Sequence, residues 1–326
     1  ARVSGLRIAA RSSSIAATEQ GLDALAASGK LGVASLVEGT VRRQGNVLKV
    51  SVYLIQGSSG MTQWSETFER GPRELLSVQQ AIAEAVVRIM LPGSDEVVAG
   101  PATRDPTANE LMLLARYHEQ RVRERNDVDE NTLIEAIRLY RQATEVDPKS
   151  TLAHSRLAGA LVYLGDLEAA EAPIFKALSI DPNLSEVQNT LGLFHWARGL
   201  VKEARTAWAR AVELNPNNPE ALQNYARSKW FLIDFEGVEE MLRRAVDIDP
   251  LNLEPYGTLG SFLVVGISQE EDAHELLRKI EELFDGAAAY RVIGQIFAYL
   301  GDVDKSIAWT IKARNLEPDN RAHIYR

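Results

Sequence analysis

Residues 181–216 read DPNLSEVQNTLGLFHWARGLVKEARTAWARAVELNP, a segment that begins and ends with an Xaa-Pro pair. Such pairs recur at intervals of 34 residues, at Asp147-Pro148, Asp181-Pro182, Asn215-Pro216 and Asp249-Pro250. Glu317-Pro318 follows at twice that interval, and Phe284 stands where the intervening proline is expected. A fixed period of this size is typical of a helical solenoid, which forms binding surfaces rather than catalytic pockets.

The residues between two prolines predict a pair of packed helices. Gly192 and Ala204 are small enough to let the two helices approach closely, and Trp208 is large enough to fill the space between them. A proline such as Pro216 ends the second helix, because it lacks a backbone donor and restricts the residue before it. Gly165-Asp166 and Gly301-Asp302 predict turns inside a repeat, where glycine tolerates positive φ.

These spacings resemble the tetratricopeptide family, residue by residue. The matching small and large positions include Leu157, Ala158, Ala170, Ile174, Ala177, Leu191, Ala211, Tyr225, Ala226, Leu242, Ala245, Gly260, Ile293, Gly294, Ser306 and Ala313. The resemblance implies a mostly α protein, a right-handed α-solenoid of about six helix pairs over residues 107–326. The repeat boundaries are expected near 107–150, 151–184, 185–218, 219–252, 253–286 and 287–320.

Two of the repeats are irregular. The first contains a highly charged stretch over residues 121–129, which we interpret as a lengthened first helix followed by a polar turn. The fifth carries an extra residue near positions 266–268, which moves Ala273 and Leu277 one place late.

Residues 1–90 have a different pattern, which predicts a small α+β unit. A short strand is expected at 6–10, a helix at 19–28, three strands at 33–41, 47–55 and 61–68, and a helix at 73–90. Gln44-Gly45-Asn46 predicts the first hairpin turn, and residues 56–60 predict the second.

This region resembles the TolB amino-terminal-like domain of bacterial signalling proteins. The resemblance rests on residues 6–14, on 31–43 with its run Val37-Glu38-Gly39-Thr40-Val41, and on Trp64-Ser65-Glu66. It implies a truncated domain whose sheet lacks an earlier strand. The start at Ala1 without methionine adds the expectation that a further domain precedes it. Residues 91–106 contain five prolines and glycines, Pro92, Gly93, Gly100, Pro101 and Pro106, and they predict a linker.

Composition and motifs give no sign of catalysis. The 326 residues carry a net charge of −9, which does not suggest a nucleic-acid surface, and they include no cysteine. No membrane-spanning run, phosphate-binding loop or nucleophile elbow is present, and the five histidines do not have metal-ligand spacing. His195 stands at a position that is usually a packed aromatic. We therefore predict no catalytic residues, no metal and no cofactor.

The phase of the first helix of each repeat predicts the residues that line the concave groove. Amides and arginines there resemble in type the groups that hold peptides in this family, although lysines are missing, and Trp196 and Trp230 lie 34 residues apart at one phase. The predicted partner-binding residues are Tyr163, Asn189, Trp196, Gln223, Asn224, Arg227, Trp230, Arg291, Gln295 and Tyr299.

The resemblances together imply a non-catalytic module that binds a protein or peptide within a bacterial signalling protein, C-terminal to a nucleotide cyclase domain. The alternative is the sensor half of a winged-helix transcription regulator. Both remain open here, as does a homodimer. The compartment is open too: cytoplasmic, or periplasmic if a transmembrane helix lies upstream.

Overall fold

The computed structural model describes residues 6–71, 74–93, 103, 105–125 and 130–317. The N-terminal unit consists of α1 (Arg11–Glu19), α2 (Ala24–Leu31), β1 (Ser35–Gln44), β2 (Val47–Gln56), β3 (Thr62–Arg70) and α3 (Leu75–Met90). The three strands form an antiparallel sheet in the order β1-β2-β3. The predicted three-strand meander and the helix after it are therefore confirmed.

One face of the sheet packs on α3 and the edge strand β1 stays largely exposed. Val50, Val52 and Phe68 form a small core with Val78 of α3. Gly45 at φ 60° and Gly60 at φ 69° make the two hairpin turns, as the turn residues predict.

Two predictions for the N-terminus are wrong. Residues 6–10 form no strand. The helix expected at 19–28 is interrupted, because α1 ends at Glu19 and α2 begins only at Ala24. The break has a local cause, because Gly21 adopts φ 63° and the Asp23 side chain accepts a hydrogen bond from the Ala26 amide, which starts a new helix.

Six antiparallel helix pairs follow and form the predicted solenoid. They are α4 (Pro106–Arg125) with α5 (Glu130–Val146), α6 (Thr151–Leu164) with α7 (Leu167–Ile180), α8 (Ser185–Ala197) with α9 (Val201–Leu214), α10 (Pro219–Phe231) with α11 (Val238–Ile248), α12 (Leu253–Ser261) with α13 (Glu270–Leu283), and α14 (Ala287–Tyr299) with α15 (Val303–Leu316). The first helix of the first pair is lengthened, as the charged stretch predicts. The polar turn after it lies outside the described residues.

Alternating large and small side chains hold each pair together. Trp208 is fully buried, and a Cβ added to Gly192 would lie 2.3 Å from the Trp208 Nε1 atom. Gly260 on α12 has a similar role between repeats, because its added Cβ would lie 2.4 Å from the Ile296 Cδ1 atom on α14 of the next pair. Because interiors are packed as densely as organic crystals, each glycine sets how closely its helix approaches the next.

The fifth repeat absorbs its extra residue in a π-helical turn. Residues Phe262–Gly266 form this turn, in which the Ile267 amide donates to the Phe262 carbonyl five residues earlier. The extra residue thereby leaves Ala273 and Leu277 buried on the correct face. Phe284, which replaces the expected proline, packs its ring edge-on against Tyr256 at 5.2 Å.

The N-terminal segment docks on the turn that ends the fourth repeat. The Ala10 amide donates to the Ile248 carbonyl at 2.8 Å, and the Ser12 and Ser13 hydroxyls donate to the Asp249 carboxylate. Ala17, Ala27 and Leu31 pack with Leu251 beside these bonds. The domain boundaries near residues 90 and 106 stay predictions, since most of residues 91–106 lie outside the described part.

Candidate functional site

A chain of hydrogen bonds joins polar residues on the neighbouring helices α8 and α10. The Asn224 amide donates to the Asn189 Oδ1 atom at 3.2 Å, and the Arg227 guanidinium donates to the Asn224 Oδ1 atom at 3.2 Å. Asn189 in turn donates to Glu220 at 3.4 Å. Asn189 and Asn224 are mostly buried, so they hold each other in place while Arg227 remains half-buried.

An aromatic platform lies beside this chain. The Arg227 guanidinium stands 5.3 Å from the centre of the Trp196 ring, which is a cation–π contact. Trp196 contacts Phe231 edge-on at 5.4 Å and the buried Trp208 at 5.7 Å. Because Trp208 is fixed in the core and donates to the Asn189 carbonyl at 3.1 Å, it gives the platform a rigid base.

The charge of Arg227 is not neutralised by any carboxylate in the part of the chain that the structure describes. Its Nε atom is buried and has no hydrogen-bond partner there. The Nη2 atom of Arg291 is also buried without a partner there, but the guanidinium of Arg291 forms an ion pair with Glu317 at 2.8 Å. Buried polar donors are normally satisfied, so the unmatched guanidinium of Arg227 makes α8 and α10 the strongest candidate for a ligand site.

The structure brings together four of the ten predicted groove residues: Asn189, Trp196, Asn224 and Arg227. Gln223 lies on the same helix and donates to Thr258 on α12 at 3.1 Å. The others lie elsewhere: Trp230 packs on Phe262 in the core of the next repeat, Gln295 donates to Tyr299 at the far end of α14, and Tyr163 is exposed on α6. The use of these residues in binding stays a prediction.

Sequence reasoning missed two residues of this site, Phe231 and Glu220. Phe231 is 64% exposed although it touches Trp196. The missed signal is the spacing, because contacting positions on adjacent first helices are separated by 35 residues rather than 34. The pairs Ser155–Thr190, Asn189–Asn224, Trp196–Phe231 and Gln223–Thr258 all follow this rule. One residue beyond the repeat period thus identifies the neighbours across the groove.

His195 and His154 are half-buried histidines of the solenoid, and burial lowers the pKa of each below the ordinary value of 6.5. The His195 ring packs on Phe194 at 5.9 Å. Across the described ranges, no three His, Asp or Glu side chains are grouped so that they could hold a metal ion.

Each of the described helices falls short of the length and apolar character that a membrane span requires.

Comparison with known proteins places the repeats in a known class. Two family models, both described as Tetratricopeptide repeat, match residues 128–194 and 185–228. PilW, a widely conserved type IV pilus biogenesis factor, has a solved structure that matches with a TM-score of 0.52 and 20% identity, over 67% of this chain and 96% of that one. This likeness concerns the fold.

Two curated relatives match part of the chain. One is "Putative adenylate cyclase 3" of Rhizobium meliloti (strain 1021), 31% identical over 161 residues, which are 48% of this chain and 26% of that protein. The other is "Small glutamine-rich tetratricopeptide repeat-containing protein 2" of Mycosarcoma maydis, 31% identical over 94 residues, 29% of this chain and 27% of that protein. The matched region thus spans about a quarter of each relative.

The helix pairs form an α-solenoid, and residues 128–228 within it match tetratricopeptide repeats, a class of repeat that forms protein-binding surfaces. The likeness of residues 1–90 to a TolB amino-terminal-like domain stays a prediction.

Proposed function

We propose that this chain is a non-catalytic regulatory module that binds an acidic peptide segment of a partner protein in the groove formed by α8 and α10. The observation that carries the proposal is the half-buried Arg227, which no described carboxylate neutralises and which the Asn189–Asn224 pair holds in place. A carboxylate of the partner would supply the missing charge-assisted hydrogen bonds.

The platform beside Arg227 favours a second feature in the partner. Phe231 is exposed and the Trp196 ring is partly buried, so together they offer an apolar surface next to a positive charge. An apolar side chain adjacent to the acidic residue would cover this surface, and aromatic and arginine anchors of this kind supply much of the energy of typical interfaces.

The wider context that we propose is a bacterial signalling protein in which this module lies C-terminal to a nucleotide cyclase domain. The name of the Rhizobium meliloti relative supports this context, since the match covers 48% of the present chain. In such a protein, partner binding by the repeats would regulate the output of the cyclase domain.

A peptide array tests the groove. We expect the wild-type chain to select peptides in which an acidic residue adjoins an aromatic or aliphatic one, and Arg227→Gln to weaken their binding about tenfold or more. Arg278→Gln is the matched control, because Arg278 is exposed on α13 and its loss changes the net charge equally. Absence of an acidic preference, or equal binding by both variants, would refute the proposed site.

A further inference from the structure

The turn between the two helices of a repeat passes through one left-handed residue. Glycine occupies this position in the second, third and sixth repeats, at Gly165, Gly199 and Gly301, with φ between 76° and 89°. The fourth and fifth repeats instead have Ile233 at φ 59° and Ser268 at φ 56°, the two non-glycine residues with positive φ in the described part of the chain. Because a β-branched side chain is strained in this conformation, stability alone would favour glycine at position 233.

Ile233 is unfavourable for a second reason, because its apolar side chain faces water. It is 81% exposed, the highest value among the large apolar side chains of the described residues. Phe235 follows two residues later, so the two Cα atoms lie within about 7 Å of each other, and Phe235 is itself 41% exposed. Strained backbone and exposed apolar side chains both tend to occur at sites of interaction. The strain and the exposure together point to Ile233 as a residue that contacts a partner.

Phe235 also lines a cleft between α11 and the turn of the fifth repeat. The cleft has a volume of about 610 Å³, within the range of about 300–1,000 Å³ that is typical of binding pockets. Its apolar part consists of Phe235, Phe262 and Ile267, and the rings of Phe235 and Phe262 meet edge-on at 6.0 Å. A single partner segment of a few residues would cover Ile233 together with this apolar part.

The charged side chains around the cleft are mainly acidic. Arg243 is neutralised, because it donates to Glu239 at 2.7 Å and to Asp272 at 2.5 Å. Glu240 and Asp247 form no side-chain hydrogen bond or ion pair within the described residues. The charged groups of the cleft and of this ion-pair network are Glu239, Glu240, Asp247, Asp272, Arg243 and Arg244. These four carboxylates and two guanidinium groups leave an excess of two negative charges.

We propose that Ile233 and the adjacent cleft, together called the turn surface, dock a basic apolar segment of a partner protein. An apolar side chain of the partner would cover Ile233 and Phe235, and a lysine or arginine would pair with Glu240 or Asp247 through charge-assisted hydrogen bonds. Burial in the complex offsets the exposure and strain of Ile233, which explains why isoleucine replaces glycine there. The turn surface includes no residue of the groove at Arg227 and attracts charge of the opposite sign, so this proposal is independent of the proposed function.

Fluorescence anisotropy tests the turn surface with three labelled synthetic peptides. The first contains only leucine and lysine, the second has glutamate in place of lysine, and the third has serine in place of leucine. We expect the leucine–lysine peptide to bind at least about tenfold more tightly than the other two. Ile233→Gly should weaken this binding about tenfold or more and at the same time raise the Tm, because it removes the apolar contact and relieves the backbone strain.

Matched variants separate the turn surface from strain and from general charge. Ser268→Gly relieves the same kind of strain, so it should also raise the Tm but leave peptide binding unchanged. Glu240→Gln should weaken binding of the leucine–lysine peptide about tenfold, whereas Glu168→Gln, in the first turn of α7, removes an equal charge and should have no effect. Arg227→Gln should not weaken this binding, because the groove is a separate site.

Two kinds of result would overturn the proposal. The first is peptide binding that does not depend on the turn surface: a glutamate peptide that binds as tightly as the lysine peptide, Ile233→Gly that binds like the wild type, or Ser268→Gly that weakens binding equally. The second is a wild-type dimer in sedimentation experiments that Ile233→Gly dissociates, since a second copy of the chain would then occupy the turn surface.

Discussion

At Gly192 the absence of a side chain decides how closely α8 approaches α9. An added Cβ would lie 2.3–2.6 Å from three atoms of the Trp208 ring. The ring is fully buried and its Nε1 atom donates to the Asn189 carbonyl, so it cannot move aside without breaking that bond. Gly192 thus also helps to position the side-chain hydrogen bonds that run from Asn189 through Asn224 to Arg227.

Gly192→Ala should therefore destabilise the protein by about 1–3 kcal/mol through overpacking. Gly159→Ala is the matched control, because its added Cβ would meet nothing closer than the Thr190 Cγ2 atom at 3.7 Å. That change should be neutral or stabilising by up to about 1 kcal/mol, since alanine favours the helix. Urea denaturation measures both, and equal stabilities of the two variants would contradict the packing argument.

His195 makes the stability of the solenoid depend on pH. Burial lowers the pKa of its ring, and the Nδ1 atom is buried without a hydrogen-bond partner in the described chain. The unfolded chain takes up a proton near pH 6.5, whereas the folded chain resists it. The stability that the neutral His195 ring contributes is therefore fully present above pH 6.5, and it is lost as the pH falls through the lowered pKa.

We expect the unfolding free energy of the wild type to fall between about pH 7.5 and about pH 5, and His195→Leu to reduce that fall. Some of the fall should remain, because burial also lowers the pKa of His154. Denaturation curves at several pH values measure the difference. If His195→Leu showed the same pH dependence as the wild type, the role of this ring would be refuted.

At the scale of an element, the π-helical turn of the fifth repeat accommodates one inserted residue without shifting the helix that follows. It confines the extra residue to Phe262–Gly266, where Val265 is 58% exposed, and leaves the next helix in register. A π-helical turn is the expected result when one residue is inserted into a helix that neighbouring helices hold at both ends.

Deletion of Val265 should convert this turn to regular α-helix and cost about 1 kcal/mol or less. Deletion of the buried Ser228 from the regular helix α10 should cost about 3 kcal/mol or more, because every following side chain would rotate away from its partners. Thermal unfolding followed by circular dichroism compares the two deletions. A larger loss for the Val265 deletion would show that the π-helical turn is needed for folding.

The anchor between α1 and the fourth repeat is the second feature at this scale. Ser13 is fully buried, and its hydroxyl both donates to Asp249 and accepts from the Leu251 amide. Ser13→Ala should cost about 1–3 kcal/mol, because it leaves buried groups without partners. Hydrogen exchange of the α1 amides should become about tenfold faster or more.

Ser14→Ala is the control for this anchor, since the adjacent Ser14 is exposed and its hydroxyl bonds to the Ala10 carbonyl of its own segment. Its α1 amides should exchange at the wild-type rate. Equal exchange in Ser13→Ala and the wild type would mean that α1 is held by other contacts.

At the scale of the whole molecule, the repeat period predicted the solenoid because it is a local signal that recurs six times. Pro182, Gly192 and Trp208 each act on neighbours within one or two helices, so their roles can be inferred from spacing. Docking of Ser13 on Asp249 joins residues 236 positions apart, and no periodic signal indicates such a contact. The strand expected at residues 6–10 fails for the same reason, since this segment bonds to Ile248 rather than to a sheet.

The candidate site was predicted in part. The phase of the helices identified Asn189, Asn224 and Arg227, but it could not show that Arg227 has no ion pair within the described residues while Arg291 has one. The phase also matched Trp196 with Trp230, 34 residues later, rather than with Phe231, because contacts across the groove follow a spacing of 35 residues. Such differences depend on side-chain neighbours that the spacing alone does not define.

Site-specific photocrosslinking is the most direct test of partner binding in the groove. A photoreactive phenylalanine analogue at position 231, beside Trp196, should crosslink a bound acidic peptide, and Arg227→Gln should reduce the yield of product about tenfold or more at peptide concentrations below the Kd. The same analogue at position 175 is the control, because Phe175 is exposed on α7 and packs against Phe194 rather than near Arg227. Crosslinking from position 175 but not from position 231, or a yield at position 231 that Arg227→Gln leaves unchanged, would contradict the account.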